Sequence, residues 1–144
     1  MTLVISETLD FALCRQLRRV VFIEEQGVPE ADEVDDQDDV AIHLLARQDG
    51  VAIGSARLLI LADQGKIGRV CVLAPARGAG IGAALIRAAV DRFRQIPEIA
   101  SVKLGAQTHA LGFYASLGFV AQGPEYLDAG ILHRDMVLDL QAAP

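Results

Sequence analysis

The stretch VCVLAPARGAGIGAAL, residues 70–85, places three glycines at alternate positions between a β-branched run and an alanine-rich run. Its first residues are typical of a buried strand, and the pattern after the glycines is helical. Glycine has no Cβ, so a ligand can approach the backbone closely at Gly78, Gly80 and Gly82. Amides at a helix start lack intrahelical partners, and the helix dipole adds about half a positive charge there. Together with the guanidinium of Arg77, these features predict a site for a phosphate or pyrophosphate.

Length and composition indicate one domain that spans residues 1–144. Hydrophobic residues make up 52% of the chain and tryptophan is absent, so aliphatic side chains must fill the core. No segment approaches the ~18 apolar residues of a membrane-spanning helix, and the first residues lack the basic region of a signal peptide. Cys14 and Cys71 have neither metal-binding nor redox spacing. We therefore expect a cytoplasmic protein with no membrane association and no metal, and with both thiols buried.

The net charge of −6 comes from a short acidic segment, because seven of the 19 acidic residues lie between positions 30 and 39. The segment lacks the glycine and the final glutamate of a calcium-binding loop. Like charges at this density repel each other, so an exposed loop is the favoured interpretation. The alternative is an acidic rim that attracts a cationic amine. The remaining charges nearly balance and form no basic face, which argues against nucleic-acid binding.

The hydrophobic pattern predicts strands that alternate with helices. Apolar residues at spacings of three and four predict an amphipathic helix from Leu9 to about Glu25, with Arg18 among the arginines off its apolar stripe. Asp49-Gly50 is a strong signal for a two-residue hairpin turn, so three antiparallel strands lead into the glycine loop. The predicted strands are residues 2–6, 40–47, 51–61, 66–73, 101–106, 119–121 and 133–140, with a turn at residues 63–65. Later helices begin at the glycines and at residue 109, and they end before Pro97 and at Gly118.

The glycine pattern can be compared with two known families of phosphate-binding loop. Residues 78–83 satisfy the G-x-G-x-x-A fingerprint of dinucleotide-binding proteins. That fingerprint follows the first strand of a β-α-β unit, whereas here three strands joined by tight turns precede it. The next strand, residues 101–106, also lacks the acidic residue that contacts the ribose. A Walker loop is excluded because no Gly-Lys-Ser/Thr follows, so neither family explains the site.

The sequence RGAGIG of residues 77–82 matches the Q/R-x-x-G-x-G/A motif of the GNAT acetyltransferases, and the chain resembles this family over nearly its whole length. Residues 110–119 look like the family's F-Y-x-x-x-G-F segment, and residues 17–29 and 129–133 resemble its ElaA-like branch. The resemblance implies an α/β (α+β) GNAT fold. Such a fold has a mixed, mostly antiparallel sheet of six to seven strands, flanked by helices, with a V-shaped split between the fourth and fifth strands.

The resemblance implies acetyl-CoA as co-substrate and assigns roles by position. The strand edge at Val70, Cys71 and Val72 would pair with the pantetheine arm, and an amide near Val72 would polarise the thioester carbonyl. Tyr114 matches the family position that protonates the departing thiolate, although it can also be read as an ordinary packed tyrosine. Backbone amides of the loop would hold the pyrophosphate of coenzyme A; the loop residues are Arg77, Gly78, Ala79, Gly80, Ile81 and Gly82.

The implied reaction is direct attack of a primary amine, from a small molecule or a peptide, on the thioester. The candidates for the group that binds this amine or takes its proton are Glu24, Glu25, His43 and His133. Glu25 and His43 are the preferred substrate-binding residues, although each can be read as a structural residue. Many relatives place an asparagine after the fifth strand, where this chain has Gln107-Thr108-His109. A non-catalytic CoA-binding or sensing module is the alternative function, and relatives commonly form homodimers.

Overall fold

The computed structural model describes residues 2–141. These residues form one mixed sheet with helices on both faces. The sheet has seven strands in the order β1-β2-β3-β4-β5-β7-β6. Neighbouring strands are antiparallel except for β4 and β5, which run parallel. The strands are β1 (Leu3–Thr8), β2 (Ile42–Gln48), β3 (Val51–Leu61), β4 (Gln64–Val72), β5 (Ser101–Gln107), β6 (Val120–Asp128) and β7 (Ile131–Asp139). This arrangement confirms the mixed, mostly antiparallel sheet that the sequence predicts.

The described residues contain four α-helical segments: α1 (Phe11–Arg18), α2 (Glu30–Glu33), α3 (Ile81–Arg94) and α4 (Leu111–Ser116). α1 leads directly into a π-helix over Arg19–Glu25, so the helix predicted here contains two types of turn. π-Helical turns are rare and often lie at functional sites. Short 3₁₀ turns occupy Asp38–Val40, Ala74–Ala76 and Thr108–Ala110.

The two hairpins before the glycine loop differ in how well the sequence predicts them. Asp49 and Gly50 both have positive φ, at 51° and 85°, as the predicted β2–β3 hairpin turn requires. The β3–β4 turn lies at Ala62 and Asp63 rather than at residues 63–65, so β4 begins earlier than predicted. Gly65 is therefore a strand residue. A Cβ at this position would lie 2.6 Å from the Phe93 ring, so glycine allows α3 to pack directly on β4.

The sheet splits between β4 and β5, as expected for the fourth and fifth strands. These strands pair only from Gln64 to Ile67 on β4 and from Ser101 to Leu104 on β5. Beyond that point β4 contains a bulge, at which Arg69 has a φ of 53°. The bulge turns β4 away from its neighbour. As a result, the β5-facing edge of residues 68–72 borders a gap instead of a strand.

α3 and α1 cover opposite faces of the sheet and bury two apolar clusters. Leu44 and Ala46 of β2 belong to the cluster under α3, whereas Leu45 packs with α1. Side chains of successive strand residues point to opposite faces, so this alternation places the two helices on opposite sides. The buried residues of α3 are Ile81, Leu85, Ile86, Ala89, Val90 and Phe93. Cys14 and Cys71 are both buried and free, as the sequence predicts.

Arg18 is buried, which corrects its predicted position on the solvent face of the first helix. Only 1% of the residue is exposed. Its Nη1 and Nη2 each donate to the Asp38 carboxylate at 2.9 Å, and its Nε donates to Glu33 at 2.5 Å. Isolated buried charges are costly, so these ion pairs explain why an arginine can occupy this position.

The acidic segment is only in part the exposed loop that like-charge repulsion predicts, because Glu30, Asp32, Asp36 and Asp39 are exposed and the other three acids are not. Glu33 and Asp38 are 3% and 2% exposed, and the Asp35 carboxylate accepts hydrogen bonds from Arg57 at 2.7 and 2.9 Å. Arginines from α1, β3 and β4 separate the carboxylates, so attraction replaces the expected repulsion. We refer to this group as the charge cluster; its members are Arg15, Arg18, Glu33, Asp35, Asp38, Arg57 and Arg69. It fixes the acidic segment against β3 and β4, close to the split.

Candidate active site

The glycine loop leaves open space beside the start of α3. Gly78 and Gly80 have φ angles of 85° and 79°, in the left-handed region that favours glycine. A Cβ built on either residue would meet no atom within 4 Å, so space lies directly above the backbone. α3 begins at Ile81 without a side-chain cap, which leaves its first amides available. These features fit the pyrophosphate that the sequence predicts at this loop.

Arg77 connects the glycine loop to the end of the first helix. Its Nη1 and Nη2 donate to the Glu25 carboxylate at 2.5 and 2.9 Å, and its Nε donates to the Val72 carbonyl at 2.9 Å. The hydrogen bonds from Arg77 lower the pKa of Glu25, and the same pair raises the pKa of Arg77. Glu25 therefore lies beside the loop as a paired carboxylate.

A cavity of about 560 Å³, here called the loop cavity, opens beside the glycine loop. It contains most of the residues that the sequence predicts to bind the cofactor: Val70, Cys71, Val72, Arg77, Gly78, Gly80, Ile81 and Gly82. Ala79, the ninth, belongs to the same loop but does not line the cavity. Phe113 of α4 forms part of the opposite wall, and a Cβ on Gly82 would lie 3.7 Å from its ring.

A second cavity, here called the cleft cavity, lies on the other side of the gap and has a volume of about 510 Å³. Gln26, Val70 and His109 line both cavities, so the two meet where β4 and β5 diverge. Gln107 at the end of β5 donates to the Gln26 side chain at 3.1 Å and bridges the gap. The arrangement gives one continuous path from the glycine loop to a polar cleft.

Tyr114 lines the cleft cavity and lies between two aromatic rings. Its ring centroid is 5.0 Å from that of Phe113 and 6.3 Å from that of Phe119. Burial raises the pKa of the Tyr114 hydroxyl, because the charged phenolate is poorly solvated there. Tyr114 is therefore protonated at neutral pH and can donate a proton into the cavity.

The two histidines singled out by sequence lie in different environments. His43 is buried, with its Nε2 2.9 Å from the Asp38 carbonyl and its ring 4.6 Å from Phe11, and it lines neither cavity. His133 lines the cleft cavity, and its Nδ1 donates to the Ile131 carbonyl at 2.7 Å. That hydrogen bond assigns the proton of the neutral ring to Nδ1 and leaves Nε2 able to accept one.

The cleft cavity also has a polar floor that sequence reasoning missed. The Tyr126 hydroxyl donates to Asp135 at 2.7 Å, and the Lys103 ammonium lies 3.3 Å from the same carboxylate. Although burial opposes it, these two partners lower the pKa of Asp135. A Cβ on Gly105 would lie 2.6 Å from the Tyr126 hydroxyl, so glycine lets this tyrosine cross β5. Strand alternation alone could not reveal the floor, because it depends on the β5–β7–β6 register.

Cys71 is the thiol nearest to the path between the cavities. Cys71 is 3% exposed, and burial raises the pKa of its thiol to about 12. A thiol of this pKa stays protonated at neutral pH and is a poor nucleophile.

A split sheet beside a glycine-rich helix start defines this protein as a GNAT-type fold, and comparison with known proteins agrees. The model of the acetyltransferase (GNAT) domain matches residues 21–140, and the chain belongs to this family. It is 33% identical over 129 residues to the Escherichia coli protein ElaA, covering 87% of this chain and 84% of ElaA. It is 33% identical over 124 residues to the uncharacterized N-acetyltransferase YjcF of Bacillus subtilis, covering 85% and 88% of the two chains.

Solved structures agree with this assignment. The crystal structure of E. coli ElaA has a TM-score of 0.85 at 27% identity, covering 96% of this chain and all 100% of that one. An acyl-CoA N-acyltransferase from Pseudomonas aeruginosa has a TM-score of 0.84 at 34% identity, covering 95% and 98%. Within residues 2–141, no helix is long and apolar enough to cross a membrane. The same residues contain no group of three or more His, Cys, Asp or Glu side chains that could hold a metal.

Proposed function

We propose that this protein transfers the acetyl group of acetyl-CoA to a primary amine by direct attack. The observation that carries the proposal is the meeting of the loop cavity and the cleft cavity at Val70, with a protonated Tyr114 in the cleft wall. One side of the gap suits an anionic donor, and the other side suits a polar acceptor. Membership of the GNAT acetyltransferase family supports acyl transfer as the class of reaction.

The donor is bound through backbone groups of one contiguous stretch. The amides from Arg77 to Gly82 hold the pyrophosphate, and the β5-facing edge of β4 at Val70, Cys71 and Val72, where the Val72 carbonyl already accepts from Arg77, pairs with the pantetheine arm. Open space at Gly78 and Gly80 allows the phosphates to approach the amides. Glu25 orients Arg77, since both guanidinium nitrogens that face Glu25 are hydrogen bonded to it.

The chemical step forms a C–N bond between the amine nitrogen and the thioester carbon and breaks the C–S bond. Tyr114 donates its phenolic proton to the departing thiolate, and the proton that the nitrogen loses as the amide forms restores the phenol. A phenol, with a pKa of about 10, is a slightly weaker acid than a thiol at about 8.5, so the proton transfer is only mildly uphill. The raised pKa of Tyr114 keeps the donor protonated at neutral pH. The products are an N-acetylated amine and coenzyme A.

Direct attack is favoured over an acetyl-cysteine intermediate. Cys71 borders the loop cavity, but burial raises the pKa of its thiol to about 12. Forming the thiolate at neutral pH would therefore be strongly unfavourable. The acetyl group consequently passes from the thioester to the amine in one displacement.

The amine must lose a proton, and His133 is the candidate that faces the cleft. Its Nδ1 is occupied by the Ile131 carbonyl, so its Nε2 can accept the proton directly or through water. Glu25 is a weaker candidate, because Arg77 lowers the pKa of its carboxyl. His43 lines neither cavity, and we assign it to the packing around Asp38.

A thermal scan with acetyl-CoA, desulfo-CoA and NAD tests the donor. A ligand that binds only the native state stabilises it by about 2.7 kcal/mol at a hundredfold excess over Kd. Both CoA compounds should raise the Tm, and NAD should not. Thiol release measured across a panel of primary amines then tests the chemistry. Stabilisation without amine-dependent thiol release would favour a CoA-binding module, and no stabilisation would refute the proposal.

A further inference from the structure

The two lysines of the sequence, Lys66 and Lys103, occupy paired positions on β4 and β5. Paired parallel strands lie about 4.8 Å apart, and both side chains line the cleft cavity. Lys103 is neutralised by Asp135 at 3.3 Å. Within residues 2–141, Lys66 forms no ion pair, and it is exposed. Both lysines interact with Asp135, and one carboxylate cannot neutralise two ammonium groups, so the closed end of the split carries one excess positive charge.

Between this end and the reaction point, the floor has no side chain over β4, whereas the hydroxyl end of Tyr126 lies over Gly105 of β5. The next residues on the same face of the two strands are Gly68 and Gly105. A Cβ on Gly68 would meet no atom within 4 Å, so the space above it belongs to the cavity. Val70 and Gln107, two residues further along, mark the level at which the cavities meet. Four residues of strand span about 13 Å, so the lysine end is well separated from the thioester.

Unpaired acidic groups lie at the opposite end of the cleft. Asp128 of β6 lies opposite Ile131 of β7 in the strand register, which is beyond the level of Gln107. Asp32 is placed by its backbone carbonyl, which lies 3.4 Å from the Arg69 guanidinium. Among the described residues, neither carboxylate forms an ion pair. The other acids that line the cleft are engaged, Glu33 by Arg18 and Asp135 by Lys103 and Tyr126.

Arg69 does not disturb this charge separation, although it also lines the cleft. Its Nη2 donates to Asp35 at 3.2 Å and to the Glu33 carbonyl at 3.1 Å. The cleft is consequently acidic near the thioester and basic at its closed end.

We infer that the acceptor is an amine whose far end carries an anionic group, as in an ω-amino carboxylate. Its ammonium group lies near Asp32 and Asp128, its chain crosses the bare floor over Gly68, and its anion contacts Lys66. This inference rests on the proposed function and adds the substrate class. The length of the floor favours a linker of several methylene groups, because a short α-amino acid cannot reach both ends.

The test uses acetyl-CoA with ω-amino carboxylates of increasing length and with their methyl esters, which keep the amine and remove the anion. ω-Aminoalkyl phosphonates of equal length separate recognition of a carboxylate from recognition of a phosphoryl group. At the optimal length, KM for the anionic amine should be about tenfold below that of its ester. Lys66→Gln should bring this ratio towards one, and Arg47→Gln, a charge change outside both cavities, should preserve it.

The outcomes separate the inference from the proposed function. Turnover of the esters and the acids with equal KM, or a ratio unaffected by Lys66→Gln, overturns the inference while acetyl transfer stands. Stabilisation of Lys66→Gln by acetyl-CoA, measured in the same thermal scan, excludes misfolding as the cause of a lost preference. Absence of turnover with every amine overturns the proposed function, and the inference with it.

Discussion

The two cavities that meet at Val70 are built in opposite ways. The loop cavity presents backbone amides and bare glycines from one contiguous stretch of chain. The cleft cavity presents charged and aromatic side chains from the π-helix, from α2 and α4, and from four strands of the sheet. The first depends on local conformation, whereas the second depends on strand register and on the charge cluster that holds the acidic segment in place. Damage to the two regions should therefore have different consequences.

The largest effect is expected in the charge cluster. Arg18→Met leaves the carboxylates of Glu33 and Asp38 buried without their main partner. Breaking a buried ion pair from one side costs about 3–5 kcal/mol, which urea denaturation would measure as a loss in the free energy of unfolding. Arg19→Met is the matched control, because the neighbouring Arg19–Glu30 pair is exposed and should cost at most about 1 kcal/mol. Equal losses in the two variants would contradict the role of the cluster.

Tyr114→Phe should reduce kcat by about 100-fold, the lower range for loss of a general acid. The ring still packs between Phe113 and Phe119, so the acetyl-CoA thermal shift should remain. Steady-state thiol release measures the effect. Tyr126→Phe removes the other cleft hydroxyl and should reduce kcat much less, because that hydroxyl is bonded to Asp135. If kcat fell equally in both variants, or in neither, the acid role of Tyr114 would be refuted.

Gly80→Val should weaken acetyl-CoA binding by about tenfold, since its side chain fills the open space above the loop and its φ of 79° strains a β-branched residue. Titration calorimetry measures the affinity. Gly50→Val introduces the same strain, at a φ of 85°, in the β2–β3 turn outside both cavities. The control should lose stability but keep its affinity for acetyl-CoA. Equal affinity losses would show that strain alone, rather than the loop, is responsible.

The smallest effect is expected on the stability of the protein at low pH. Hydrogen bonds from Arg57 lower the pKa of Asp35, so this pair stabilises the native state above the ordinary pKa of about 3.9. The stabilisation is lost as the pH falls through the lowered pKa of the folded state. Asp35→Asn should reduce the Tm at pH 7, and its Tm should fall less than that of the wild type as the pH drops below about 4. Asp39→Asn, an exposed acid in the same segment, should follow the wild-type curve, and a parallel fall in Asp35→Asn would contradict the prediction.

Several parts of the fold follow from local sequence because their causes lie within a few residues. Asp49-Gly50 adopts the positive φ angles that a two-residue hairpin needs. Gly78 and Gly80 adopt the left-handed conformation that opens the loop. The apolar period of α3 predicts most of its buried face, from Ile81 to Phe93.

Other parts could not be predicted because their partners are distant in sequence. Charge density argued for an exposed acidic segment, but arginines from three other elements neutralise it. The apolar stripe of the first helix placed Arg18 in solvent, because that pattern contains no information about Asp38. His43 was a reasonable candidate for the cleft, yet the register of β2 buries it beside the charge cluster.

The sequence by itself determined the side of this protein that we propose for the donor. A strand, three glycines and a helix start create an open loop through backbone geometry, which requires no distant partner. Only the tertiary structure decided the side that we propose for the acceptor. Lys66 and Lys103 lie side by side because β4 and β5 pair in parallel before they diverge, and Asp32 reaches the cleft because the charge cluster fixes its segment. Side chains from distant segments can line one cleft only when strand register and packing bring them together.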